Sequence, residues 1–137
     1  MSVDEKLANI ELFSELSKSE LKKVGKLMTP VAVKAGRDLV REGEPGREFM
    51  IIVDGTATVR RRGRVIARLG PGDFFGELAV IAGVPRTATV TADTDMVVEA
   101  LNRREFSTLL DESPKIAKKI LVGAVKRLHE LEEGVVR

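Results

Sequence analysis

Glycine and proline crowd the middle of this chain. Nine of its twelve glycines and three of its five prolines lie between Gly36 and Pro85, so no helix of ordinary length fits there unbroken. The runs between these breaks are short and often alternate apolar with polar. They are Asp38-Leu39-Val40-Arg41, Phe49-Met50-Ile51-Ile52-Val53, Ala57-Thr58-Val59-Arg60, Arg64-Val65-Ile66-Ala67-Arg68-Leu69, Ala88-Thr89-Val90-Thr91 and Met96-Val97-Val98-Glu99-Ala100. The breaks themselves are turn sequences: Glu44-Pro45-Gly46, Asp54-Gly55, Arg62-Gly63 and Gly70-Pro71-Gly72-Asp73. Short strands at such spacing predict a sandwich or barrel over residues 30–102.

Helical patterns flank this zone. Residues 1–29 read as helical, with a first short piece over Asp4-Glu5-Lys6-Leu7-Ala8 and a turn over Phe13-Ser14-Glu15-Leu16-Ser17. Ser17 with Glu20 three residues on makes a capping box. Leu21, Val24, Leu27 and Met28 follow at helical spacing. On the far side, Asn102 caps a helix over Arg103–Asp111. Ser113-Pro114 then opens a second helix, which Gly134 stops. That last helix carries Ala117, Leu121, Ala124, Leu128 and Leu131 at 4-3-4-3 spacing, with Ile116, Ile120 and Val125 as a second strip. Such strips suit packing on the chain's own domain, and equally a seam for a second copy or a movable lid.

At 137 residues the chain is long enough for one domain with its own core, spanning 1–137. Composition then removes whole classes of chemistry. There is no Cys and one His, His129, which excludes thiol catalysis and zinc-finger sites. There is no Trp or Tyr and only five Phe, which argues against a nucleic-acid surface built on stacked aromatics. Lys+Arg total 23 against 21 Asp+Glu, a formal charge of +2, too weak a bias to indicate DNA. The Arg60-Arg61-Arg62-Gly63-Arg64 cluster falls on a predicted hairpin, where it reads as a solvated turn protecting an edge strand. No run of ~18 apolar residues is present to span a membrane, and Met1-Ser2-Val3-Asp4-Glu5-Lys6 lacks the apolar stretch of a signal peptide. The expected compartment is the cytoplasm, with which the absence of Cys agrees.

One segment among the strands is not a strand. Gly76 precedes Glu77-Leu78-Ala79-Val80-Ile81-Ala82, enough for one or two helical turns, and Gly83-Val84-Pro85 ends it. The first backbone N–H groups of a short helix have no partner inside it and can hold an anion. Gly76 lacks a Cβ, so a ligand can approach the backbone. Arg86 follows, with a planar fork suited to two phosphate oxygens, and Thr87 adds a hydroxyl. Glu77, acceptor-only when ionised, cannot bind phosphate but can accept from a sugar hydroxyl. Amides, one base and one acid fit a sugar bearing a singly charged phosphate. A plain Glu77–Arg86 ion pair is the alternative that these residues leave open.

Phe75-Gly76-Glu77-Leu78-Ala79 and Pro85-Arg86-Thr87-Ala88-Thr89-Val90, at this separation, resemble the phosphate-binding cassette of cyclic nucleotide-binding domains. Such domains occur in protein kinase A regulatory subunits, cyclic nucleotide-gated channels and the bacterial catabolite activator protein. The resemblance runs over nearly the whole chain. Leu12-Phe13-Ser14-Glu15-Leu16-Ser17 is similar to the family's helical opening and Val40-Arg41-Glu42-Gly43-Glu44-Pro45-Gly46 to its early hairpin. Val53-Asp54-Gly55 and Leu69-Gly70-Pro71-Gly72-Asp73-Phe74 match its turns.

The resemblance implies a mainly β fold with flanking helices. Its core would be a double-stranded β-helix (a β-roll of jelly-roll type), with the cassette at 75–88 and hinge or lid helices at 103–134. It implies that Arg86 takes the cyclic phosphate, with backbone N–H groups around Gly76, Leu78 and Ala79, and that Thr87 reaches the phosphate or the purine. Glu77 would take the ribose 2′-hydroxyl. Val59, Ala67 and Phe75 match positions lining the purine pocket. Arg127 matches a lid arginine that lies over the base in some channel-type members, and is otherwise a solvated charge. The ligand implied is cAMP, favoured over cGMP as the commoner bacterial ligand of the family. No other cofactor, no metal and no catalysis are expected, since Glu77 is a lone carboxylate without nucleophile or metal ligands beside it. The chain ends at Arg137 with no recognition helix. It therefore reads as a sensor without a visible output, complete or cut from a larger protein. Its partner would be a second copy on the last helix or an effector protein, and not nucleic acid.

Overall fold

The structure, a computed structural model, describes residues 3–136 and the side chains of residues 6–130. The chain opens with α1 (Val3–Ala8), a 3-10 turn (Glu11–Phe13) and α2 (Lys18–Gly25). The capping box at α2 is formed: Glu20 N donates to Ser17 Oγ and Ser17 N to Glu20 Oε1, each at 3.1 Å. The β zone follows as β1 (Thr29–Val33), β2 (Asp38–Val40), β3 (Glu48–Asp54), β4 (Ala57–Arg61), β5 (Arg64–Leu69) and β6 (Phe74–Phe75). After α3 (Glu77–Ala82) come β7 (Thr89–Ala92) and β8 (Met96–Asn102), then α4 (Arg103–Glu112) and α5 (Pro114–Val136).

The strands form two four-stranded antiparallel sheets, ordered β1-β8-β3-β6 and β2-β7-β4-β5. This is the expected β-roll. Neither sheet follows chain order, so each sheet is closed by residues far apart in sequence.

The apolar run of β3 explains the layering. Successive side chains of a strand point to opposite faces. Phe49, Ile51 and Val53 therefore face one way, into a cluster with Phe13, Phe106, Leu109, Ile116 and Ile120 of the helices. Ile52 faces the other way, into the space between the sheets with Val59, Phe75, Val90 and Val98. A strand buried on both faces has no reason to alternate. The first sheet is thus sandwiched between the helices and the second sheet. β5 lies at the outer edge of the second sheet and is exposed along most of its length. The turn feeding it is a two-residue hairpin with Arg62 (φ 53) and Gly63 (φ 78) both left-handed, the geometry that matches strand twist.

Several sequence expectations are corrected. β1 and β6 were not among the expected strands. β1 contains Pro30 and sits at a sheet edge, where a missing N–H is tolerated. β6 is only two residues long. Gly134 does not stop the last helix, which runs on to Val136. Both strips on α5 are split. Ala124 of the 4-3 strip and Ile116 and Ile120 of the second are buried, whereas Leu121 and Leu128 of the first and Val125 of the second are exposed. Leu131 lies outside the described side chains. Among the described residues no helix is long and apolar enough to cross a membrane.

Candidate functional site

A cavity of about 760 Å³ opens between β4 and β5 of the second sheet, α3 and the middle of α5. All ten candidate residues line it: Val59, Ala67, Phe75, Gly76, Glu77, Leu78, Ala79, Arg86, Thr87 and Arg127. Its other walls include Val40, Leu69 and Val90, and Arg61, Arg62 and Arg64 of the hairpin also reach it. The arginine-rich hairpin is therefore part of the cavity as well as an edge.

Local sequence sets the geometry at the start of α3. Gly76 is its N-cap, at φ 94 and ψ 0, and no side chain caps the helix. That left-handed conformation suits glycine. A Cβ at Gly76 would also come within 2.6 Å of both Arg86 Nη1 and the Glu48 carbonyl oxygen. Gly46 is a second close approach, since a Cβ there would lie 2.7 Å from Arg86 Nε and 2.3 Å from Ala79 Cβ. The turn residues of the early hairpin thus hold the arginine. Arg86 N donates to the Glu44 carbonyl at 2.9 Å, and Gly43 N donates to the Arg86 carbonyl at 2.8 Å.

The Arg86 guanidinium is the unusual group of the molecule. The residue is only 8% exposed. Nη2 donates to the Glu48 carbonyl at 2.9 Å. Nη1 has no partner, and among the described residues it is the buried side-chain nitrogen or oxygen left so. Burial pushes the pKa of this guanidinium below its ordinary value, while the Glu48 and Glu77 carboxylates pull it back up. A buried, unsatisfied donor costs about 1–3 kcal/mol, more when charged. An anion at this point would offset that cost.

Glu77 and Arg86 do not form an ion pair. Glu77, 1% exposed, is held instead by Arg127, whose Nη1 donates to Oε1 at 2.8 Å and to Oε2 at 2.7 Å. Arg127 Nη2 donates to the Phe74 carbonyl, and the guanidinium carbon lies 5.2 Å from the Phe74 ring centroid. Arg127 is thus not a solvated charge; it closes over the Glu77 carboxylate while lining the cavity. Sequence reasoning missed Glu48 and Phe74, which contribute main-chain carbonyls and so leave no signal in residue type. Gly46 was legible as a turn but not as the wall behind Arg86.

Chemically, the cavity has one end where a buried guanidinium N–H lacks an acceptor near the uncapped start of α3, and another where a buried carboxylate is already paired. No group of three or more His, Cys, Asp or Glu able to hold a metal ion occurs among the described residues.

Comparison with known proteins places these features in context. Residues 30–113 match the model of the cyclic nucleotide-binding domain. A cyclic nucleotide-gated potassium channel of Rhizobium etli is 37% identical over 88% of this chain and 34% of its own length. The chain spans about a third of the length of the curated relatives it matches. Among solved structures, a PKA-R domain described as bound to Sp-2Cl-cAMPS superposes with a TM-score of 0.80 at 30% identity, covering 94% of this chain and 88% of that one. The regulatory subunit of a cAMP-independent protein kinase A from Trypanosoma brucei superposes with a TM-score of 0.83 at 26% identity, covering 95% and 47%.

Proposed function

Because this chain belongs to the cyclic nucleotide-binding domain family, a family of sensor and regulatory domains, we propose that it binds a 3′,5′-cyclic nucleotide, cAMP in preference to cGMP, and passes occupancy on to its C-terminal helices. The single observation that carries this reading is the buried, unpartnered Nη1 of Arg86 on the cavity wall. The likeness to the regulatory subunit of a protein kinase A described as cAMP-independent means that fold alone does not select cAMP, and the chemistry at Arg86 is what supports the reading. A cyclic phosphate is a monoanion with two free oxygens, which suits one guanidinium fork and the N–H groups at the start of α3. Glu77, with more acceptor sites than Arg127 occupies, takes the ribose 2′-hydroxyl. Val59, Ala67 and Phe75 lie against the purine, and Thr87 meets the phosphate or the base.

The same residues supply a route outward. Phosphate capture draws α3 toward Arg86. Glu77 rides on α3 and is bonded to Arg127 of α5, so α5 follows. The ligand shifts this equilibrium only by its differential affinity for the two arrangements. The output is a partner on α5, a second copy or an effector, where Leu121, Val125 and Leu128 stand exposed. We assign no catalysis, no cofactor beyond the nucleotide, no nucleic-acid contact by this chain, and a cytoplasmic location.

Calorimetric titration with cAMP and with cGMP is the test, since a chain without Trp or Tyr gives little intrinsic fluorescence. One nucleotide per chain, with cAMP the tighter, is expected, and cAMP is recovered unchanged afterwards. Absence of heat with either would leave an interaction scaffold of the same fold.

A further inference from the structure

α5 is held to the body in two different ways. Its first half is fixed by Ile116 and Ile120, buried in the helical cluster. Lys119 Nζ also donates to the Glu11 carbonyl at 2.7 Å and to Ser14 Oγ at 2.9 Å. From Leu121 onward, Leu121, Val125 and Leu128 face solvent. There the helix lines the cavity at Arg127 and Glu130, and one turn before Arg127 it meets Phe74 at Gly123.

Gly123 sits where a glycine is unfavourable, in the interior of a helix. A Cβ at this position would lie 2.8 Å from Phe74 Cζ and 3.2 Å from Cε1. The helix backbone therefore rests directly on the edge of the ring. The ring is not free to swing away without loss. It packs on Phe49 at 5.6 Å between centroids, lies beneath the Arg127 guanidinium, and belongs to a residue paired with Ile51 across the sheet. Gly123 and Arg127 are four residues apart, on one face of α5. Lifting α5 at Gly123 lifts Arg127, and moving the ring removes the surface beneath its guanidinium. Either way the hold on Glu77 is disturbed.

We propose that Gly123 and Phe74 form a seat that fixes the height of α5 and so positions Arg127 on Glu77, making Gly123 a positioning residue for the ribose end of the cavity. The role of that end rests on the nucleotide reading above; the seat itself does not.

Gly123→Ala is the test, with Phe74→Leu and the double variant Gly123→Ala/Phe74→Leu completing a cycle. Leu lacks the Cε and Cζ atoms that the new methyl would meet, and the Phe74 main-chain acceptor is kept. In the ligand-free protein, Gly123→Ala should lower Tm and speed amide exchange over residues 124–130 by about tenfold or more, the effect of a methyl forced into a filled contact. Phe74→Leu alone carries the cost of the lost ring contacts, so the readout is the cycle: Gly123→Ala should cost much less in the Phe74→Leu background than in wild type. An ordinary helix glycine behaves oppositely, because Ala raises Tm there. A raised Tm with unchanged exchange overturns the seat, and so does a Gly123→Ala effect of the same size in the wild-type and Phe74→Leu backgrounds. Titration with cAMP and 2′-deoxy-cAMP then separates the two claims. The preference for the 2′-hydroxyl should shrink from wild type to Gly123→Ala and change little from Phe74→Leu to the double variant. Wild-type protein that binds neither nucleotide defeats the nucleotide reading, while exchange and the cycle still decide the seat.

Discussion

Two arginines bound the same cavity and are in opposite conditions. Arg86 is almost wholly buried, yet one of its terminal nitrogens has no acceptor. The Arg127 side chain is 31% exposed, yet it is engaged by a carboxylate, a main-chain carbonyl and an aromatic face. A buried cation without an anion is a cost retained in the fold; a satisfied one closes a contact. The phosphate end of this cavity is therefore open and the ribose end already closed. Removing Arg86 should abolish binding and spare the fold, and removing Arg127 should injure the fold.

The largest effect is expected from Arg86→Ala. Two charge-assisted hydrogen bonds at about 1.5–3 kcal/mol each correspond to a loss of roughly two to four orders of magnitude in cyclic nucleotide affinity. Arg86→Lys should recover part of it, since an ammonium supplies charge without the fork. Calorimetry reads both, and equal affinity across the three proteins would break the assignment. The ligand-free Tm of Arg86→Ala should move by only a few degrees, within about 1 kcal/mol, because the variant also removes an unsatisfied donor.

Arg127→Ala comes next and reads on the opposite quantity. It strands the Glu77 carboxylate in the interior, and breaking a buried pair costs about 3–5 kcal/mol. The lower end applies here, because the Arg127 side chain is 31% exposed. Denaturant unfolding should show this loss, and Glu77→Gln/Arg127→Ala should regain much of it by removing the stranded charge. An Arg127→Ala protein as stable as wild type, beside a destabilised Arg86→Ala protein, would invert the contrast.

Much of this contrast was legible in the chain, for a physical reason. The open end is built from local features: a glycine before a short helix, an arginine after it, and turn glycines. These carry their geometry in residue type, so Arg86, Gly76 and the helix boundaries at Glu77 and Ala82 could be read directly. The closed end depends on contacts between residues about fifty positions apart, Glu77 with Arg127 and Phe74 with Arg127. The sequence offered Arg86 as a partner for Glu77, and only the docking of α5 selects Arg127. The register of α5 was obscured in the same way. A 4-3 strip was visible, but the buried face passes through Gly123, whose missing side chain gives no hydrophobic signal while permitting the closest approach. Pro30 hid β1 because proline argues against a strand except at an edge, and edge position is a property of the sheet.

The smallest effect serves as a control on the electrostatics of both ends, using a carboxylate outside the cavity lining. Asp38 on β2 accepts from Thr91 Oγ1 at 2.7 Å. That hydrogen bond, with Arg41 as a lesser cause, holds its pKa below the ordinary carboxylate value, and desolvation opposes it only in part. The sign follows from linkage. A folded-state pKa below the unfolded one stabilises the protein above the unfolded pKa of about 3.9, and that stability is lost as pH falls through the lowered folded value. Thr91→Val should therefore reduce stability slightly at pH 7, with the difference from wild type shrinking as the pH is taken below about 4. Since the group lies at the surface, the effect should be below that of Arg127→Ala at every pH. Tm measured at pH 7, 5 and 3 on Thr91→Val and Arg127→Ala reads this. A Thr91→Val deficit as large as that of Arg127→Ala would mean that surface and buried carboxylates are held with equal strength, and the distinction drawn between the two ends would lose its basis in burial.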